Sequence, residues 1–175
     1  MSSQPSLFVT SDELGEQFKA ELLNGAEGHC PACGRFCKVY HRRIHSNMAR
    51  QLIALYHLSK ISRQEAGSDY VHTRQVRAMC SYSDFTLAKH WGLVEAKLNH
   101  DEPTKKETGL WKLTPAGVQF VEGATLIPKY AYLFDDRCIG FSEEMVGIHA
   151  SLGRKFNYQE LFEYRTTTKE KGNAA

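Results

Sequence analysis

The apolar positions between Ser83 and Gly123 fall into a short helical stripe, two β-prone runs and a second helix. Phe85, Leu87, Ala88 and Trp91 mark the packing side of the first helix, and Ser83 is placed to cap it. Gly92 supplies its stop. Leu93-Val94-Glu95-Ala96 begins a strand, and Gly109-Leu110-Trp111-Lys112-Leu113 returns from a polar loop, NHDEPTKKET. Thr114-Pro115 then opens a helix, because Thr caps and Pro suits the first helical position.

Upstream, Met48, Leu52, Ile53, Leu55 and Tyr56 follow helical spacing, with Ser46-Asn47 as the expected cap. Tyr70-Val71-His72 reads as a short strand. Thr73 is expected to cap a helix over Arg74–Met79, and Cys80-Ser81-Tyr82-Ser83 forms a turn. Helix, strand, helix, turn, helix, strand, charged loop, strand is winged helix-turn-helix order.

Outside that core, Leu14, Phe18, Leu22 and Leu23 lie on one stripe of a helix from Ser11 to Asn24-Gly25. Leu126 to Phe134 is β-prone, Asp135-Asp136 turns, and Arg137-Cys138-Ile139-Gly140-Phe141 returns as a hairpin. That hairpin is expected to pack on the winged helix or to serve self-association. Ser142-Glu143-Glu144 is expected to start a helix running to Leu152, and Asn157 caps another over Tyr158–Arg165. The fold class is therefore α+β: a winged helix-turn-helix core with an N-terminal zinc-knuckle-like segment and a C-terminal β-hairpin plus short helices. The expected divisions are an acidic helical segment at 1–27, a Cys/His knuckle at 28–45 and the winged helix at 46–123. The hairpin and helices follow at 124–167, and a frayed tail at 168–175.

Composition adds that the chain is ordinary for a globular protein, at 42% hydrophobic and 24% charged residues. No apolar run approaches the roughly 18 residues of a membrane helix, and the first residues lack a signal-peptide pattern. A cytoplasmic protein with no membrane association is expected. The net charge of +2 conceals an asymmetry. Residues 1–27 carry Asp12, Glu13, Glu16, Glu21 and Glu27 against Lys19. Residues 28–64 contain no acid but hold Arg35, Lys38, Arg42, Arg43, Arg50, Lys60 and Arg63. Such a block attracts phosphates, or else forms a solvated face balanced by the acidic N-terminus.

Candidate chemistry lies in GHCPACGRFCKVYHRRIHS. Cys30-Pro-Ala-Cys33-Gly has the shape of a zinc knuckle, and zinc takes four ligands. His41 and His45 are four residues apart and would complete a two-Cys, two-His site on a helix. Cys37 and His41 would complete it if the segment were extended. The expected role of zinc is structural. The alternative is a turn with plain thiols and surface histidines. No phosphate loop, activated nucleophile or dinucleotide fingerprint is visible, so an enzyme is not expected.

For duplex DNA, the third helix would offer Ser83, Thr86, Lys89 and His90, with Tyr82 and Asp84 beside them. Arg74 and Arg77 suit the flanking backbone, and Lys105 and Lys106 sit on the wing. Arg42 and Arg43 extend the basic set. Against this, Asp84 and the wing acids Asp101, Glu102 and Glu107 repel phosphate.

MARQLIALYHL, FTLAKHWGLVEAK, GLWKLTPAGVQFVEG and IPKYAYLFDDRCIGFS together resemble small bacteriophage and prophage winged-helix proteins with an N-terminal CPxCG knuckle. The resemblance covers most of residues 28–165. It implies a phage-encoded DNA-binding transcription regulator acting in the host cytoplasm. The alternative it implies is an inhibitor that binds a host protein complex, such as a defence complex or polymerase, through the acidic N-terminal helix and the hairpin 126–141. A homodimer through the terminal helices is compatible with either.

Overall fold

A 21-residue helix organises the larger part of the molecule, because its apolar residues recur on nearly every turn from Met48 to Tyr56. The computed structural model describes residues 11–25, 27–99 and 107–163. The wing lysines Lys105 and Lys106 and the tail at 168–175 lie outside the described residues. In chain order the elements begin with α1 (Ser11–Leu23), β1 (Glu27–His29), β2 (Phe36–Lys38), β3 (Tyr40–Arg43) and α2 (Ser46–Ala66). Next come β4 (Val71–His72), α3 (Thr73–Cys80), a 3-10 helix (Asp84–Trp91), β5 (Val94–Leu98), β6 (Glu107–Leu113) and α4 (Pro115–Val121). β7 (Ile127–Pro128), β8 (Tyr130–Phe134), β9 (Arg137–Phe141), β10 (Met145–Val146), α5 (Ile148–Leu152) and α6 (Tyr158–Glu163) follow among the described residues. The protein is mixed α+β, with helices and small sheets. It divides into two compact units, one comprising the chain up to Arg42 with Tyr130–Phe141, the other Arg43–Lys129 with the chain from Ser142.

In the second unit, β4 pairs antiparallel with β6, and β6 with β5, so the sheet order is β4-β6-β5. β7 and β10 form a separate antiparallel pair. Leu52, Leu55, Phe85, Ala88, Phe120 and Ile148 are completely buried in one core. Phe85 meets Trp111 edge-on, with ring centroids 6.2 Å apart. α4 lies so close to the strand entrance that a Cβ on Gly117 would fall 2.0 Å from the Leu93 carbonyl oxygen. Only glycine fits there.

Several helix starts differ from expectation. His45, not Ser46 or Asn47, is the N-cap of α2, and its Nδ1 accepts from the Met48 N–H at 3.3 Å. His72, not Thr73, caps α3, in a reciprocal box with Gln75. A histidine ring nitrogen serves as well as a hydroxyl when it faces an unpaired N–H. Ser83 occupies the cap of the 3-10 helix but makes no capping hydrogen bond. The buried Gln51 of α2 accepts from the Phe85 N–H instead, at 2.8 Å. The expected helix from Ser142 is replaced at its start by β10, and α5 begins only after Gly147. Thr114 does cap α4, accepting from the Gly117 N–H at 3.0 Å, and Asn157 does cap α6.

In the first unit, β1 and β2 form an antiparallel hairpin around the cysteine turn. The hairpin expected at 126–141 closes at Asp135-Asp136, where φ values of 47° and 57° make the left-handed turn that matches strand twist. It joins β3 in a sheet of order β3-β8-β9. Residues 28–42 and 130–141 therefore share a unit, where the sequence suggests separate segments. Ala131 and Leu133 alternate inward, with Leu22 and Val39 also buried.

Candidate functional site

A 3-10 helix has three residues per turn, so side chains three apart eclipse one another. Phe85, Ala88 and Trp91 form the packing column: the first two are fully buried and the third is half-buried. Trp91 Nε1 donates to the Pro128 carbonyl at 2.7 Å, which fixes the end of the column. Asp84, Leu87 and His90 form a second column, and Thr86 and Lys89 a third. Lys89 is exposed, while Ser83, Thr86 and His90 are half-buried. Arg74 and Arg77 are exposed on α3. Among the described residues Arg74, Arg77 and Lys89 have no ion-pair partner, so their charge is not neutralised internally. By contrast, Lys112 on β6 is paired to Glu95 at 2.9 Å, which raises its pKa.

Beside the start of α2 lies a cleft of about 270 Å³. Arg43, His45, Lys129, Arg154 and Lys155 line it, with Ser46 and Ser151 between them, and no acidic residue belongs to the lining. Lys129 is ion-paired to Glu144 at 2.8 Å, and Lys155 donates to the Asn47 amide oxygen at 3.0 Å. The first turn of α2 carries no acid, so the positive end of the helix adds to the cations. His45 Nε2 lies 3.9 Å from an Asp84 carboxylate oxygen, which joins the cleft to the start of the 3-10 helix. This contact gives Asp84 a cationic neighbour whenever His45 is protonated.

A larger cavity, of about 460 Å³, runs between α2, α3 and α6. Its walls are mainly aliphatic. Its polar groups are committed to holding those walls: Arg50 donates to the Met79 carbonyl at 3.1 Å, and His57 Nε2 meets the Leu161 carbonyl at 3.1 Å. Cys80 lines it, and burial pushes its thiol pKa up.

The cysteine turn is built by the β1–β2 hairpin. The Cys30 N–H donates to the Arg35 carbonyl at 2.7 Å, and the Gly34 N–H returns to the Cys30 carbonyl at 2.8 Å. Backbone N–H groups of Cys33 and Ala32 approach the Cys30 sulfur and hold its thiol below the ordinary range, with the Cys33 thiol adding. Aimed N–H groups suit a metal-bound thiolate, so Cys30 and Cys33 fit as two of the four ligands of zinc. His41, on β3, stacks on Tyr132 with ring centroids 4.6 Å apart. His45 caps α2 in the other unit. Among the described residues no three Cys, His, Asp or Glu side chains gather as a metal-ligand set. Cys37 lies opposite Gly28 in the hairpin.

Of the residues singled out in the sequence, Thr86, Lys89 and His90 share one short helix with Ser83 at its cap position, and Arg74 and Arg77 lie on α3. Arg42 stands over the Tyr40 ring in the first unit, at 5.3 Å, and Arg43 lines the cleft. Sequence reasoning missed Lys129, Arg154 and Lys155. Arg154-Lys155 directly after the helix stop Gly153 is a local signal, but nothing in the chain ties it to Arg43 and His45, more than a hundred residues earlier. No helix among the described residues is long and apolar enough to cross a membrane. Comparisons of the chain with protein-family models, curated proteins and solved structures found no match.

Proposed function

We propose that the second unit is a winged-helix domain that binds duplex DNA, with the 3-10 helix as its groove-facing element. The observation that carries this reading is the set of cations on and near that helix, of which Arg74, Arg77 and Lys89 have no ion-pair partner among the described residues. Arg74 and Arg77 on α3 and Lys89 on the 3-10 helix are exposed, and the cation-lined cleft is joined to the start of that helix through His45 and Asp84. The order α2, β4, α3, 3-10 helix, β5, β6, with the first strand paired to the last, supports it. In this reading Lys89 and Thr86 face the bases or the nearer phosphates, and the cleft takes a phosphate of the flanking backbone. Lys105 and Lys106 belong to the wing of the same reading. A regulator of transcription follows as the role. Structural zinc at Cys30 and Cys33 belongs to the first unit and takes no part in the contact.

The test is a titration of fluorescently labelled random-sequence duplex at low and high salt. Tight binding that weakens steeply with salt is expected, and Lys89→Ala should weaken it. Absence of binding at low salt would overturn the reading.

A second reading, capture of a host protein complex, is favoured by exposed apolar side chains. Tyr82 and Leu98 are each about 60% exposed, beside the 3-10 helix and at the end of β5. Tyr82→Ala would then abolish capture and leave duplex affinity unchanged.

A further inference from the structure

We infer that the outward face of the β3-β8-β9 sheet is a stacking platform for single-stranded nucleic acid. Alternation along β8 sends Ala131 and Leu133 inward, where both are buried, and Tyr130, Tyr132 and Phe134 to the other face. His41 on β3 lies on that same face, since its ring stacks on Tyr132 at 4.6 Å and approaches Tyr130 at 6.4 Å. His41 is itself exposed. Across the hairpin the residue paired with Tyr132 is Gly140, which has no side chain to cover the ring. Arg137, exposed, pairs with Phe134 at the far end.

Aromatic side chains on a sheet face with cations beside them suit unpaired bases and their phosphates. The charge is complementary. Arg137 shares the face of Phe134, and the three strands, YHRR, YAYLF and RCIGF, contain no acid. Asp135 and Asp136 lie only in the turn at the end of the platform and set the limit of the track. A duplex keeps its bases stacked inward and offers this face no ring to stack on, so the occupant is single-stranded. The surface is distinct from the one proposed for duplex DNA and involves none of its residues.

The experiment uses the full chain and labelled 12-mers of oligo(dT) and oligo(U), with tyrosine emission and anisotropy read together. Wild type is expected to bind, with Tyr132 emission quenched. Tyr132→Leu, which keeps an apolar side chain of similar burial, should weaken binding roughly tenfold or more, and Tyr132→Phe should restore it. Excess unlabelled duplex should not displace the oligonucleotide, and Lys89→Ala should leave it bound. Preference for oligo(U) or for oligo(dT) assigns RNA or DNA as the strand. Failure of wild type to bind either 12-mer, or unchanged affinity in Tyr132→Leu, would overturn the inference. Displacement by duplex would do the same, by returning the binding to the second unit, whatever the outcome for the duplex reading itself.

Discussion

The two units are held together by different means. The second has a core of completely buried aromatic and aliphatic side chains around α2, from Leu52 through Phe85 and Phe120 to Ile148. Among the described residues the first has four buried apolar side chains, Leu22, Val39, Ala131 and Leu133, together with short ladders, a left-handed turn and the hydrogen bonds of the cysteine turn. Units with little buried apolar surface commonly depend on a staple such as a metal. The difference separates two jobs. A rigid core can hold a short 3-10 helix and its cations in place. A thin sheet leaves aromatic rings at the surface.

The largest expected effect falls on the core of the second unit. Phe85→Ala should cost about 3–5 kcal/mol, because it removes a fully buried ring that packs edge-on against Trp111. Gly117→Ala should cost roughly 3 kcal/mol, since its Cβ meets backbone that cannot rotate away. Both tryptophans, Trp91 and Trp111, belong to the second unit, so the tryptophan melting curve reports these losses directly. A wild-type curve for Gly117→Ala would mean that α4 does not approach Leu93 as described.

Next comes the zinc proposed at Cys30 and Cys33. Cobalt(II) added to metal-free protein should give the ultraviolet charge-transfer band of a thiolate–cobalt bond, and Cys30→Ser should remove it. Chelation should expose residues 28–42 to protease while the tryptophan melt of the second unit stays in place. If chelation shifted both units together, the contrast between them would fail.

The smallest effect is a pH dependence confined to the second unit. Burial, then the neighbouring Tyr56 and Glu122, raise the pKa of the Tyr158 phenol, which donates to the Val121 carbonyl at 2.9 Å. A pKa raised on folding gives stability that is complete below the ordinary phenol value, about 10, and is lost as pH rises through the folded value. Tyr158→Phe should therefore be less stable than wild type at neutral pH and should lose less on moving above pH 10. Parallel alkaline curves for the two proteins would remove this assignment.

Much of the second unit is legible in the sequence, because its elements announce themselves locally. The spacing of Phe85, Ala88 and Trp91 by three residues carries the 3-10 geometry, although the same residues also fit an ordinary helix. Thr114-Pro115 marks α4 and Asn157 marks α6 through side chains that can act only on their own turn. What cannot be read is non-local. Gln51 supplies the N–H acceptor expected of Ser83 from 34 residues away. β3 and β8 are far apart in the chain, so the hairpin and the knuckle segment look independent until the two strands pair. The cleft assembles Arg43 and His45 with Arg154 and Lys155, and no periodicity connects them.

Duplex binding through the cleft and the 3-10 helix should first be tested by its salt dependence in an Arg154→Ala/Lys155→Ala variant. Anisotropy of a labelled duplex should be followed from about 50 to 200 mM salt, where phosphate neutralisation dominates the slope. The variant should bind more weakly, with a salt slope shallower by about one unit for each phosphate that it no longer neutralises. A variant that binds with wild-type affinity and the same slope would contradict duplex binding at the cleft.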